Sequence, residues 1–287
     1  MKTKSLTKVT LLSIFIMSVV TAVTLNSCQK EGLKPKAANS SSKTSSTLDP
    51  FLSSSKLFDE VSGLVFNASK NQKGLVVNLN GVDSSGCAVI THDTVKPYTT
   101  TYNYGSGCIG SDGIMRAGIV TYSYDNTDIR VVNNVCTFTF QNYNFNGWTI
   151  NGSVLLTNTG LNTNGNLVLT QTASYVGASG GVTDTINENY SYEWIAGVNS
   201  NPFSDLQFNI TGSSWGASSN GQTASSTITS TLTKNCKTPG CNYYIAGTVS
   251  TVVPDPTQCN TKNYSTPGGC SGQVSVTQNG VTSIQNQ

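Results

Sequence analysis

The stretch "VCTFTFQNYNF", Val135–Phe145, decides the fold. Cys136, Phe138 and Phe140 alternate with Thr137, Thr139 and Gln141, so one side of the segment is apolar and the other polar. A period of two belongs to an extended strand, whose successive side chains point to opposite faces. Threonine and phenylalanine also fit a pleated, half-buried surface.

The same alternation continues outward. "GSVLLTN", Gly152–Asn158, places Val154 and Leu156 on one face, and "GNLVLTQTASY", Gly165–Tyr175, does so with Leu167 and Leu169. Between and beyond these runs stand Asp112-Gly113, Asn146-Gly147, Asn164-Gly165, Asn220-Gly221 and Asn279-Gly280. Such pairs accept the positive φ that tight hairpins demand. Short connections between period-two runs make neighbouring strands antiparallel. The expected fold is all-β, an extended antiparallel meander or a sandwich. "QTASSTITSTLTK", Gln222–Lys234, is polar on both faces, which points to a thin core, an extended sheet or an open face.

One helix is expected ahead of the strands. Asp49-Pro50 supplies a cap and a first-turn proline, and Leu57, Val61, Leu64 and Val65 then form one apolar stripe. The helix falls within Pro50–Phe66.

The start of the chain reads as an address. Lys2, Lys4 and Lys8 precede the uncharged run Val9–Leu25, too short and too interrupted by Ser and Thr for a membrane span. A basic leader and an apolar middle make a secretory signal peptide, residues 1–27. Leu25-Asn26-Ser27-Cys28 resembles the bacterial lipobox, which implies that Cys28 is lipidated and becomes the mature N-terminus. Residues 28–48, rich in Ser, Lys, Asn and Thr, have little to bury and read as a disordered tether. A flexible chain of that length spans roughly 25 Å. The expected location is the outer membrane, reached through the lipid anchor, on the periplasmic or the cell-surface face.

Residues 49–287 form the β-rich domain. Charged residues are only 10% of the chain, and seven of the fourteen lysines lie in the leader and tether, so without that segment the domain's charge is negative. With those removed no basic patch remains, which excludes nucleic acid as a partner.

Two stretches, about 87–124 and 241–280, repeat one pattern. "GCAVITHD" followed by "YNYGSGCIGSDGIMRAGIVTYSY" matches "GCNYYIAGTV" followed by "NYSTPGGCSGQVSVTQNG": a cysteine opens a strand and a Gly/Cys turn precedes the next. The early hairpin, from Gly105 through Cys108, Asp112, Gly113 and Arg116 to Gly118, resembles that of uncharacterised all-β lipoproteins of Bacteroidota. The likeness spans Cys87 to Gly280 and implies a lipid-anchored all-β fold but no activity. By the logic of the repeat, Cys87 pairs with Cys108 and Cys241 with Cys270, leaving Cys236 with Cys259 as a third disulfide in an oxidising compartment. Cys136 then remains as a small buried hydrophobe. Cys236 and Cys241 have metal-like spacing, but their use in disulfides leaves no metal site, and nothing calls for a cofactor.

Few groups offer chemistry. His92 and Asp93 are adjacent, so a strand points them apart. Glu188 and Glu193 differ by five positions and fall on opposite faces. Asp184 and Glu188 share a face but lie about 13 Å apart along a strand. Asp125 and Asp128 suit a turn that hydrogen-bonds its own backbone. Arg116, Tyr122 and Tyr124 are further contact candidates. Tyr190, Tyr192 and Trp194 share parity and form an aromatic stripe, which is either core or, if exposed, a surface for a glycan or protein ligand. The sequence therefore points to a non-enzymatic envelope lipoprotein with a binding or structural role. The alternatives are a glycan-active hydrolase and a concave sheet carrying a lipid or other apolar ligand.

Overall fold

The computed structural model describes residues 87–93, 95–110, 113–126, 128–145, 147–199, 207–235, 243–254 and 257–287. Cys28, the tether, the helix expected within Pro50–Phe66, and Cys236 and Cys241 lie outside the described residues.

Thirteen strands follow one another along the chain: β1 (Val89–Asp93), β2 (Tyr98–Ile109), β3 (Met115–Tyr124), β4 (Val135–Phe145), β5 (Trp148–Leu161), β6 (Leu167–Ser179) and β7 (Val182–Ala196). The series continues with β8 (Gln207–Ser218), β9 (Thr223–Asn235), β10 (Tyr243–Pro254), β11 (Thr257–Asn263), β12 (Gln273–Gln278) and β13 (Val281–Asn286). They pair in sequence order within one antiparallel sheet. Of the two arrangements the sequence allowed, the protein adopts the meander.

The turns form where the sequence places them. Gly113, Gly147, Gly165, Gly221 and Gly280 each sit in a strand connection with φ between 76° and 86°. Asn279 (φ 50°) and Gly280 (φ 82°) give the two positive values that a two-residue hairpin needs. Connections at one end of the strands, such as 146–147, 180–181 and 279–280, are tight. Those at the other end, such as 125–134 and 264–272, are long. Gly118 and Gly212 serve a different need. Both have positive φ, and a Cβ there would collide with the backbone of Asn142 or Asn189 on the neighbouring strand. Each stands at a register irregularity, where a bulge bends the strand.

Alternation divides the sheet into two faces. Along β7 the even positions from Asp184 to Trp194 are all buried, whereas the odd positions are half-buried or exposed. The outward face is rich in hydroxyls: cross-strand rows run Thr99–Ser123–Thr137 over β2–β4 and Thr227–Ser250–Thr261–Thr277–Thr282 over β9–β13. Such pairs stabilise a sheet without apolar burial. The inward face holds the core, with Val120, Cys136, Phe138, Tyr143, Leu232 and Val249 fully buried.

The Cys87–Cys108 disulfide ties the start of β1 to the end of β2, with Cα atoms 5.8 Å apart. Cys259 and Cys270 are also disulfide-bonded. Cys136 is a free buried thiol. It accepts a hydrogen bond from Tyr122 Oη at 3.2 Å, and burial pushes its pKa up to about 11.

Candidate functional site

The inward face changes character across the sheet. From β2 to β4 it is a wall of rings, with Tyr122 4.6 Å from Phe138 and 4.7 Å from Tyr124 between centroids. From β6 onward, small and polar residues share the inward positions with buried apolar ones such as Tyr192, Trp194, Phe208 and Leu232. β8 contributes Phe208 and Ile210 near the long-loop end, then Gly212, Ser214, Gly216 and Ser218 toward the tight turns.

Register aligns the polar groups into a stripe perpendicular to the strands. Glu188 on β7 faces Ser214 on β8, which faces Ser226 on β9, then Thr251 on β10 and Asn260 on β11. Glu188, Ser214, Ser226 and Thr251 are all buried. Closer to the tight turns a second row sets Gly177 beside Asp184 and Asp184 beside Ser218. Trp148, 38% exposed, lays its ring against Gly177, at 3.3 Å from where a Cβ would stand.

Some of these groups satisfy one another. Gln171 Nε2 donates to Glu188 Oε2 at 2.6 Å, and Tyr175 Oη donates to Glu188 Oε1 at 2.7 Å. The Ser226 and Thr251 hydroxyls are 2.8 Å apart. Burial raises the Glu188 carboxyl from its ordinary 4.5 to about 7, against the opposing pull of these two donors. Tyr175 is raised well above 10, first by burial and then by the Glu188 charge.

Other groups are left over. Gln171 Oε1, Asp184 Oδ1, Ser214 Oγ, Ser218 Oγ and Asn260 Oδ1 are buried and have no hydrogen-bond partner among the described residues. Native interiors pair nearly all such atoms, so five in one region call for an explanation.

The residues singled out in the sequence fall elsewhere or play other parts. Tyr190, Tyr192 and Trp194 are 4%, 3% and 1% exposed and belong to the core, so they present no outward contact surface. Tyr122 and Tyr124 are buried with them, and Arg116, 5% exposed, lies over the Phe145 ring at 5.5 Å. Glu193 points away from Glu188 and accepts from Asn162 and Asn166, which hold its carboxyl below the ordinary value. His92 bonds Thr100 across the strands at 2.8 Å, and burial lowers its pKa. Asp93 instead caps its own turn at the Val95 amide. Asp128 pairs with Arg130 at 2.7 Å in a loop that Asn126 and Asn134 brace through backbone hydrogen bonds.

Asp184 and Glu188 alone among these candidates join the stripe. Gln171, Ser214, Ser218, Ser226, Thr251 and Asn260 were missed. The signal was a polar residue at inward parity inside a strand, which composition alone does not separate from an outward one. Among the described residues no group of His, Cys, Asp and Glu could hold a metal ion. No protein-family model, curated protein or solved structure matches the chain.

Proposed function

We propose that the protein is a lipid-anchored envelope lipoprotein with a non-catalytic binding role, its ligand held against the polar part of the inward face. One observation supports the binding role: buried oxygens on β6–β8 and β11 lack hydrogen-bond partners among the described residues. A sheet built only to be stable gains nothing from them, since a buried polar atom without a partner costs about 1–3 kcal/mol.

Two features weigh against the alternatives. Asp184 and Glu188 share a face, but at four positions along β7 they stand roughly 13 Å apart, beyond the separation of about 5–9.5 Å that glycoside hydrolysis uses. A purely apolar ligand would leave the stripe as poorly satisfied as it is alone. The lipid anchor rests on Cys28 and the segment before it.

Metabolic labelling with a fatty-acid analogue tests the anchor. The native chain is expected to take up label and fractionate with membranes, and Cys28→Ala to lose both. Continued labelling of Cys28→Ala contradicts the anchor. A panel of glycans, lipids and small cations titrated onto the protein tests the binding role, which fails if none of them binds.

A further inference from the structure

The sheet ends at two edges that are built differently. An edge strand presents a row of unpaired N–H and C=O groups, which native sheets guard with charges, prolines, bulges or brevity. β1 is five residues long and holds His92 and Asp93, and the Cys87–Cys108 disulfide fixes the chain where it begins. β13 pairs only with β12 among the described residues. It has no charged residue and no proline, and its register with β12 runs without a bulge. All six of its residues are exposed, Val281 at 72% and Ile284 at 52%.

This open edge is also held in place. The Thr277 and Thr282 hydroxyls are 2.8 Å apart across the β12–β13 hairpin. Just past β13, Gln287 Nε2 donates to the carbonyls of Tyr244 and Gln273, and its Oε1 accepts from the Tyr244 amide at 2.9 Å. Its own amide donates to the Gly272 carbonyl. A strand fixed in this way loses little freedom when another strand adds to it.

The absence of charge selects the occupant. About a two-fold axis each residue faces the same segment of its copy, so a charge near the axis meets its like. β13 carries none. Pairing of β13 with β1 of another copy would instead be head-to-tail and repeat into a ring or filament. It would also set β13 against the shorter edge that holds His92 and Asp93.

We infer that β13 is the contact of a homodimer, pairing antiparallel with β13 of a second copy about an axis at Ile284. Directly opposite residues share a face of the sheet. The two Ile284 side chains therefore meet on the outward face, with Thr282 opposite Asn286 beside them, and Ser283 stands opposite Gln285 on the inward face. This register uses the strand end to end and covers its exposed isoleucine. A single strand pair is an interface below about 1,200 Å², the size of weak, transient complexes, so the dimer forms at micromolar concentration or above.

The test is sedimentation equilibrium of the full chain in detergent, from low micromolar to several hundred micromolar protein. The mass should rise toward twice that of the monomer, and hydrogen exchange of the β13 amides should slow as it does. Ile284→Lys puts like charges at the axis and should stay monomeric throughout, with its urea midpoint unchanged because the site is exposed. Ile284→Cys oxidised with diamide should give a disulfide-linked dimer. Opposite Cα atoms in an antiparallel pair lie about 4.5–5.5 Å apart, within disulfide reach. A native chain that stays monomeric overturns the dimer, and slow β13 exchange in that monomer would show another part of the chain covering the edge. A dimer that Ile284→Lys leaves intact, as two anchors sharing a micelle would give, overturns the site. A dimer that Ile284→Lys abolishes while Ile284→Cys fails to cross-link overturns the register.

Discussion

The two halves of one buried face solve different problems. On β2–β4, Tyr98, Tyr122, Tyr124, Phe138, Phe140 and Tyr143 stack at centroid distances of 4.6–5.7 Å, and Phe138 and Tyr143 have no exposure at all. Each such pair adds about 0.5–1.5 kcal/mol beyond the area it buries. On β7–β11 the same inward parity carries, beside buried residues such as Tyr192, Trp194, Phe208 and Leu232, a set of carboxylates, hydroxyls and glycines. Backbone pairing is continuous across both. The stacked rings add stability, whereas the buried polar atoms without partners among the described residues cost some.

Removing a ring should do the most damage. Phe138→Ala in the aromatic half is expected to lower stability by about 3–5 kcal/mol, read from the urea midpoint. A loss below about 1 kcal/mol would mean that the stacked wall is not the stabilising half.

The disulfide at the aromatic edge comes next. Cys87 and Cys108 are 21 residues apart, and a cross-link closing a loop of that size contributes about 3 kcal/mol in the chain-entropy model. Cys87→Ser with Cys108→Ser should lose about that much. The double variant with Phe138→Ala should show whether the two losses add.

Glu188 gives the polar half a pH signature. Its pKa is higher in the folded protein, about 7 against 4.5. Below pH 4.5 the group is protonated in both states and costs nothing. Between pH 4.5 and 7 the unfolded chain gives up its proton first, so stability falls as pH rises, and the loss is complete above pH 7. At 1.36 kcal/mol per pH unit the fall is at most about 3 kcal/mol. Unfolding at pH 4.5 and pH 8 should show this slope in the native protein and a flatter profile in Glu188→Gln. Equal slopes would place the carboxyl in water.

Much of the aromatic half was legible in the sequence. Val135–Phe140 alternates cleanly because Cys136, Phe138 and Phe140 take the inward positions, before a bulge at Gln141–Asn142 brings Tyr143 inward. The Asn-Gly and Asp-Gly pairs mark the turns because few other residues tolerate positive φ. Cys136 reads as a buried thiol from its parity with Phe138 and Phe140, and the protein buries it completely. The polar half was not legible for the same physical reason inverted. In Gln222–Lys234 the inward Ser226 is as small and polar as its outward neighbours, so nothing in the pattern reveals that it is 1% exposed. The stripe exists only through register, which sets Glu188, Ser214, Ser226, Thr251 and Asn260 side by side from strands up to 72 residues apart. The aromatic stripe of β7 misleads in the opposite sense: Tyr190, Tyr192 and Trp194 have the composition of a contact surface and the burial of a core.

The smallest expected effect tests the central claim most directly, because its sign separates a binding surface from a scaffold. Ser214 is 2% exposed, and its Oγ has no partner among the described residues. Replacing an unpaired buried hydroxyl by a methyl group removes a desolvation cost and only a small volume. The urea midpoint of Ser214→Ala, measured without ligand at pH 7, is predicted to equal or exceed that of the native protein, with a gain of up to about 1 kcal/mol. A loss of 1 kcal/mol or more would contradict the account, since it would make the serine part of the framework.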